Sequence, residues 1–555
     1  MNKIAFSSYD DFIARWKVSV PPDFNFAFDV VDRIAAEEPH RPAMVHVDDA
    51  NRRLDLDMRY FSRESSRLAA GLAAHGLRKG DRVMLILYRR VAFWTAVLAL
   101  HKLGAVAIPS PAMLTEKDIE YRLKMADVRG VIADESVLRL VDAARAASPE
   151  CRVAVSIGTS AKQPGWVDFE QVCREGDAGA ARLEKTSGGS DPLFIFFSSG
   201  TTGAPKMILH DHTYALAHLT TALYWQDLRP GDLHLTIADT GWAKAAWGKL
   251  YGQWMAGAAV FVYDFRGRFN ATHMLQVMAD HKVTTFCAPP TVYRLMLMHH
   301  DLHKFDLSAL RHCTSAGELL NRDIFDGWKS ATGISLYEGY GQTETTLQLA
   351  TFPFMPLKPG SIGKPCPGWD VVLLDEDGRE VAPHQEGEIC IRLNGKHPLG
   401  LFNGYLADAD MTARVMRNGL YRTGDKAHRD EDGYHWFLGR NDDLIKSSGY
   451  RIGPFEVESA LLTHPAVAET AVTGVPDPVR GQIVKATVVL KPGFSPSEKM
   501  IHELQDHVKS ITASYKYPRI VEFAAELPKT ISGKIRRAEI RNRDRARHAD
   551  NAPTP

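Results

Sequence analysis

The chain has 555 residues, room for several structural units with ample core. Its 67 Lys and Arg offset 67 Asp and Glu, so the formal net charge is zero and bulk charge gives no case for nucleic acid as a partner. Six scattered cysteines (Cys151, Cys173, Cys287, Cys313, Cys366, Cys390) form no CxxC pair, which argues against a zinc site or disulfide framework and fits a reducing compartment. No segment approaches the roughly 18–20 uninterrupted apolar residues of a membrane span, so no stable membrane insertion is expected. The opening MNKIAFSSYDDFIARWK lacks a long apolar core, so no secretory signal is read and a cytoplasmic protein is the expectation.

The first third alternates helix and strand patterns. Residues 61–75 read as a helix ended by Gly76, 83–87 as a buried strand, and 91–103 as a helix stopped by Gly104. Residues 105–108 are the next strand, 115–126 a helix with Thr115 as N-cap, and 130–133 a further strand. This rhythm implies parallel βα units with helices covering the sheet. The segment 158–191 is rich in Gly, Ser and charge and reads as surface connection.

An apolar run, Leu193-Phe194-Ile195-Phe196-Phe197, then leads into Ser198-Ser199-Gly200-Thr201-Thr202-Gly203-Ala204-Pro205-Lys206. Glycines let backbone N–H groups turn toward one point, hydroxyls add donors, and lysine adds a flexible cation, all of which suit polyphosphate. Composition alone leaves a plain linker open. No Gly-Lys-Ser/Thr closes the loop, and Met207-Ile208-Leu209 behind it has strand character, so strand–loop–strand is expected and a Walker loop is not.

Downstream, Trp242, Lys244, Trp247 and Trp254 crowd one glycine-containing region, either a pocket wall or a core helix. Two loops that mix Gly with polar groups follow strand-like runs: Thr314-Ser315-Ala316-Gly317-Glu318, and Glu338-Gly339-Tyr340-Gly341-Gln342-Thr343-Glu344. Loops at the carboxyl ends of strands are where open α/β sheets bind ligands, and Glu344 is a candidate for a divalent cation on phosphate oxygens.

The second half changes character. Residues 370–375 and 387–392 read as strands with Asp377-Gly378 as a tight turn between them. Tyr421-Arg422-Thr423-Gly424-Asp425 and Gly439-Arg440-Asn441-Asp442-Asp443 follow, the second a polar linker or hinge. A new pattern then begins: helix 455–462, strands 466–474 and 483–490, helix 500–511 and strand 519–523, a separate α+β domain of about 110 residues. Domains 1–441 and 442–555 are the expected division. The tail 541–555 is charged and apolar-poor and reads as frayed.

Singly these motifs are weak. In this order, SSGTTGAPK, YGQTE, YRTGD, GRNDDLIKSSGYRIGP and PKTISGKIRR resemble the motif series of the adenylate-forming superfamily, over nearly the whole chain. Within it, ADTGW with its downstream tryptophans, EGYGQTE, VPDPVRGQIVKA and SYKYPR are similar to medium-chain acyl-CoA synthetases. The resemblance implies a large α/β N-terminal domain, a small mobile α+β C-terminal domain, and ATP, Mg²⁺ and coenzyme A as cofactors. A small-molecule carboxylic acid is the implied substrate, and a homodimer is left open.

By this resemblance Ser198, Ser199, Gly200, Thr201, Thr202, Gly203 and Lys206 hold the ATP β,γ-phosphates. Gly317, Glu318, Glu338, Gly339, Tyr340, Gly341, Gln342 and Thr343 line the adenine and α-phosphate site, and Glu344 binds Mg²⁺. Asp425 takes the ribose hydroxyls with help from Arg440, Asp442 is the hinge, and Lys534 catalyses adenylation. Ser448, Gly449, Tyr450 and Arg451 face CoA, with Arg480, Tyr517 and Arg519 as further CoA contacts. Trp242, Lys244, Trp247 and Gly341 shape the acyl pocket. Acetyl-CoA synthetases carry Trp at the position of Gly341, so a deeper pocket and an acid larger than acetate are expected, medium-chain or branched, with a benzoate-like acid as the alternative. Lys244 is expected to snorkel outward or to meet a carboxylate. Transfer of the acyl group to a carrier-protein thiol, or a non-catalytic nucleotide-binding role, are the competing readings.

Overall fold

The computed structural model describes residues 3–158, 163–180, 183–198, 205–267, 269–299, 301–318, 320–440, 443–447, 450–477, 480–529 and 535–550. Four sheets organise them. The first runs Val167–Asp168, Val153–Ile157, Val128–Asp134, Arg82–Ile86, Val106–Ser110, Pro192–Ser198, Lys206–Asp211 in spatial order. Its strands are parallel up to the last pair. Pro192–Ser198 and Lys206–Asp211 pair antiparallel with Ser198 opposite Lys206, the strand–loop–strand arrangement expected around the phosphate-loop candidate.

The second sheet has nine strands. Its parallel centre, Leu336–Tyr340, His312–Ala316, Thr285–Ala288, Leu233–Thr236, Ala259–Asp264 and Pro42–Asp48, is flanked by antiparallel edges. Between the two sheets lies the largest core, where Leu85, Ala107 and Phe194 of the first sheet share a cluster with Val260, Val262 and Ala316 of the second. The helix Val91–Leu103 is buried on nearly every side because it fills this gap, and Gly104 ends it at φ 71°. Helices on the outer faces cover both sheets, so central strands are near-continuous apolar runs.

Thr115 caps the helix Glu116–Met125 through a reciprocal bond with Asp118. The third sheet is antiparallel and includes Val371–Leu374, Gly387–Arg392, Leu420–Arg429 and His435–Arg440. The fourth, Tyr450–Ile452, Ile445–Ser447, Gly481–Leu490, Val467–Asp477 and Ile520–Phe523, pairs with none of the others among the described residues. It carries its own core with the helices Pro454–Leu462 and Glu498–Ile511.

Three expectations are corrected. The segment 158–191 holds the helix Phe169–Glu175, capped by Asp168, which packs so closely on Met58–Ala74 that a Cβ on Gly71 would lie 2.0 Å from the Val172 carbonyl oxygen. The turn at Asp377-Gly378 closes back on Glu380 and not on Gly387–Arg392. The charged tail is the helix Arg537–Asp550. Besides the apolar contact of Ile540 with Ala471 and Leu527, its anchors are ionic, and hydropathy misses those: Arg537 meets buried Glu458, Arg541 meets Asp443, and buried Asp544 meets buried Lys485.

Removing Asp544 leaves Lys485 with Glu522 as its remaining carboxylate partner. Asp544→Ala is expected to destabilise the C-terminal part by about 2–4 kcal/mol in urea unfolding. A frayed tail would give a change within about 0.5 kcal/mol.

Candidate active site

The strand Leu336–Tyr340 ends in the Gly341–Glu344 motif just where the third sheet crosses it. Asp425, in the strand Leu420–Arg429, is 5% exposed and fully engaged there. Its Oδ2 accepts from Tyr340 Oη at 2.6 Å and from Gln342 Nε2 at 2.7 Å. Its Oδ1 lies 3.3 Å from Arg440 Nη1, on the antiparallel neighbour strand. Gln342 is fixed in turn: Nε2 donates to the Thr423 carbonyl at 2.9 Å, and Oε1 accepts from Tyr421 Oη at 2.7 Å. Gly424, at φ 73°, turns the backbone so that Thr423 and Asp425 both reach this knot. Burial and the Asp425 carboxylate keep the Tyr340 phenol protonated, far above its usual range.

Glu344 is half-buried, and its Oε1 accepts from Tyr405 Oη at 2.9 Å. Lys206 Nζ stands 5.1 Å from the centre of the Tyr405 ring. Lys206, Gln342, Glu344, Tyr405, Tyr421, Thr423 and Arg440 line one open cavity of about 550 Å³ that extends along the third sheet. Tyr405 and Tyr421 are the polar residues that motif reading missed. The signal was present in the aromatic hydroxyls of Gly404-Tyr405 and Leu420-Tyr421, each beside a glycine turn or motif start.

The Gly317 loop follows the strand His312–Ala316, the parallel neighbour of Leu336–Tyr340. Gly317 adopts φ 99°, and Glu318 accepts from Thr291 Oγ1 at 2.6 Å. Gly339 must be glycine, because a Cβ would lie 2.7 Å from Leu347 and 2.8 Å from Trp225. The Thr343 carbonyl accepts from His210 Nε2 at 2.8 Å; burial lowers the His210 pKa to about 4, so the imidazole is neutral. Glu338 differs from its neighbours: its carboxyl is buried behind the strand, accepts from the Leu320 N–H at 3.2 Å, and has Oε2 without a partner among the described residues. Burial pushes its pKa up to about 8.

At Gly341 an added Cβ would lie 2.4 Å from the Trp247 indole and 2.3 Å from the Thr346 carbonyl oxygen. The depth expected there is therefore not empty: glycine admits Trp247. Lys244 does not snorkel outward. It turns inward and donates to the Ala316 carbonyl, its Nζ 3.5 Å from where a Gly317 Cβ would be. Trp242 is half-buried at the start of the helix Ala243–Lys249.

In the C-terminal part, Arg519 donates to Tyr517 Oη at 2.8 Å and lies 4.9 Å from its ring centre, while Arg480 is exposed with its backbone N–H on Asp477. These three do not line the cavity above. Ser199, Gly200, Thr201, Thr202, Gly203, Asp442, Ser448, Gly449 and Lys534 lie outside the described residues, as do the side chains of Tyr450 and Arg451.

A two-sheet α/β body, a third sheet bearing a buried aspartate, and a small α+β unit together define an adenylate-forming ligase. The family model for AMP-binding enzymes matches residues 31–406, and that for the AMP-binding enzyme C-terminal domain matches 456–534. The chain belongs to the AMP-binding enzyme family. It is 40% identical to the mitochondrial acyl-coenzyme A synthetase ACSM3 of Mus musculus, covering 97% of this chain and 94% of that one. It is 42% identical to the mitochondrial acyl-coenzyme A synthetase ACSM5 of Homo sapiens, covering 95% and 91%. Among solved structures it is similar to the anthranilate CoA ligase AuaEII in complex with anthranoyl-AMP, with a TM-score of 0.86 and 31% identity over 96% of this chain and 99% of that one. A benzoate CoA ligase from Burkholderia xenovorans LB400 gives a TM-score of 0.80 and 28% identity over 93% and 100%.

The cytoplasmic expectation is corrected by these relatives, which are mitochondrial. Buried free thiols indicate reducing surroundings and do not distinguish one reducing compartment from another. No described helix is long and apolar enough to cross a membrane.

Glu338 sets a pH signature. Its folded pKa of about 8 lies above the ordinary 4.5, so the folded state holds the extra proton between those values and stability falls as pH rises from 4.5 to 8. The loss is up to about 1.4 kcal/mol per pH unit, and Glu338→Gln is expected to abolish it in unfolding curves taken at pH 5 to 8. An unchanged slope would contradict the buried, protonated carboxyl.

Proposed function

We propose that the chain is an ATP-dependent, AMP-forming acyl-CoA synthetase that activates a medium-chain or branched carboxylic acid as acyl-AMP and passes the acyl group to the CoA thiol. The observation that carries this reading is the meeting of Lys206, Gln342, Glu344 and Arg440, from separate stretches of chain, on one cavity, with Asp425 bonded to two of them.

Both reactants of the first step, a carboxylate and the ATP α-phosphate, are anions. The site must therefore neutralise charge before the carboxylate oxygen can attack and pyrophosphate can leave. Lys206, next to the hydroxyl-rich loop, supplies a cation to the β,γ-phosphates. Glu344 would hold Mg²⁺. A cation there would take one carboxylate oxygen from the chain and the rest of its ligands from phosphates and water. Once bound, the ion would shield phosphate charge. Asp425 bonds Tyr340, Gln342 and Arg440, which holds its carboxylate in place beside the cavity. The half-exposed Arg440 lies beside Oδ1, where the ribose hydroxyls would bind.

Lys244 is aimed at the Ala316-Gly317 backbone, where its ammonium can take the substrate carboxylate. Trp242 and Trp247 wall the acyl pocket. Their flat faces, and the likeness to a ligase holding anthranoyl-AMP, support an aryl acid as the second reading.

Residues 1–441 and 442–555 act as two domains in this scheme, with Asp442 as the pivot. The smaller one presents Lys534 for adenylation. It then presents Ser448, Gly449, Tyr450 and Arg451 toward CoA for thioester formation, with Arg480, Tyr517 and Arg519 as further contacts. Excluding water matters because the acyl-AMP anhydride hydrolyses.

Lys534→Ala is expected to lower acyl-AMP formation by about 10²–10³-fold while sparing thioester formation from supplied acyl-AMP. Equal loss in both half-reactions would contradict the two-pose scheme. Acid-dependent AMP release with butyrate, octanoate, a branched acid and benzoate is expected to favour the medium or branched acid. Silence with all four, or AMP release that needs a carrier-protein thiol in place of CoA, would overturn the proposal.

A further inference from the structure

The residues that deliver Trp242 are tied one after another. The Ala238 carbonyl accepts from Lys249 Nζ at 2.7 Å. Asp239 Oδ2 accepts from Arg89 Nη1 at 3.1 Å. Thr240 Oγ1 donates to the Leu87 carbonyl at 2.6 Å. A Cβ on Gly241 would lie 2.2 Å from Pro111 N. Leu87, Arg89 and Pro111 all stand just past strands of the first sheet, whereas 238–241 follows a strand of the second, so the loop is stitched across the gap between sheets. Arg89 is itself held, by the Phe265 carbonyl and by the Phe265 ring at 4.1 Å.

Lys249 is the unusual member. It is the last residue of the helix Ala243–Lys249, 2% exposed, and its amine reaches back to a residue preceding that helix. The stretch 238–249 thus closes on itself around Trp242, Lys244 and Trp247. An amine buried without a bonded carboxylate is costly, and an apolar residue would fill the space more cheaply.

We propose that Lys249 is a positioning residue for acid selection: by holding the Ala238 carbonyl it closes the ring that fixes the tryptophan wall. The inference rests on the reading of Trp242 and Trp247 as walls of the acyl pocket. Lys249 touches no reacting atom and acts through the loop.

The charged and titratable groups facing the amine are Arg89, Asp239, Cys287 and Asp264, with the buried His234 of the strand Leu233–Thr236. Burial, then Arg89, lower its pKa to about 7 against the opposing pull of Asp239, Cys287 and Asp264. The tied amine thus resists the proton that a released one would hold, so the cost of keeping it in place grows as pH falls from 10.5 to 7 and is constant below. The wall is expected to be held most firmly at the high-pH end of that window.

The test is the ratio of kcat/KM for octanoate to that for benzoate, which cancels ionisations common to both reactions. In Lys249→Met the ratio is expected to move about tenfold toward one. The change should lie in the KM for acid, with the KM for ATP unchanged. In the unsubstituted enzyme the ratio should drift toward one as pH falls from 10 to 7, and in Lys249→Met it should not. Thr240→Val, which removes a separate tie of the same loop, is expected to shift the ratio in the same direction and serves if Lys249→Met does not fold. Ratios in both variants within twofold of the unsubstituted enzyme, or equal losses for acid and ATP, would overturn the proposal. Trp242→Ala separates the two levels. If it changes the ratio while the tie variants do not, the positioning role fails. If it too leaves the ratio unchanged, the wall reading fails beneath it.

Discussion

The carboxylate of Asp425 is the point on which the site depends. It lies where the end of a parallel strand meets an antiparallel sheet, and it binds Tyr340 and Gln342 from the first and Arg440 from the second. A buried carboxylate is costly unless its acceptor sites are filled, so this knot fixes the third sheet against the second. Once that angle is set, Gln342 orients Thr423 and Tyr421, Glu344 comes within reach of Tyr405, and Lys206 arrives on the far side of the same cavity. The geometry of the cavity follows from one crossing of two sheets.

Three costly choices lie beside the cleft, apart from stabilising pairs such as Asp544 with Lys485. Glu338 is kept protonated behind the strand that carries Gln342. Lys249 is buried against a carbonyl beneath the tryptophan loop. Gly341 lacks a side chain so that Trp247 can stand beside the nucleotide motif. Each choice gives up some folding free energy, and each lies next to the cleft rather than in the outer cores.

Much of this was legible in the sequence because it depends on local pattern. The helices ended by Gly76 and Gly104, the Thr115 cap and the strand–loop–strand around 198–206 are short-range features with clear chemistry. The helix Arg537–Asp550 was not legible, because Arg541, Asp544 and their partners Asp443 and Lys485 are far apart in sequence and carry no apolar period. The inward turn of Lys244 and the filling of space beside Gly341 by Trp247 were hidden for the same reason. They depend on what the other sheet places opposite, which no periodicity reveals. Glu338 was singled out by motif as a site candidate, and its buried carboxyl could be seen only once the Leu320 backbone was in place.

The central claim is that a carboxylate oxygen of the substrate acid attacks the α-phosphate of ATP. Acid labelled with ¹⁸O in its carboxylate tests this most directly when the full reaction is run with ATP and CoA and the products are read by mass spectrometry. The account predicts one ¹⁸O in the AMP released and none in pyrophosphate. Label in inorganic phosphate, or AMP without label, would contradict it.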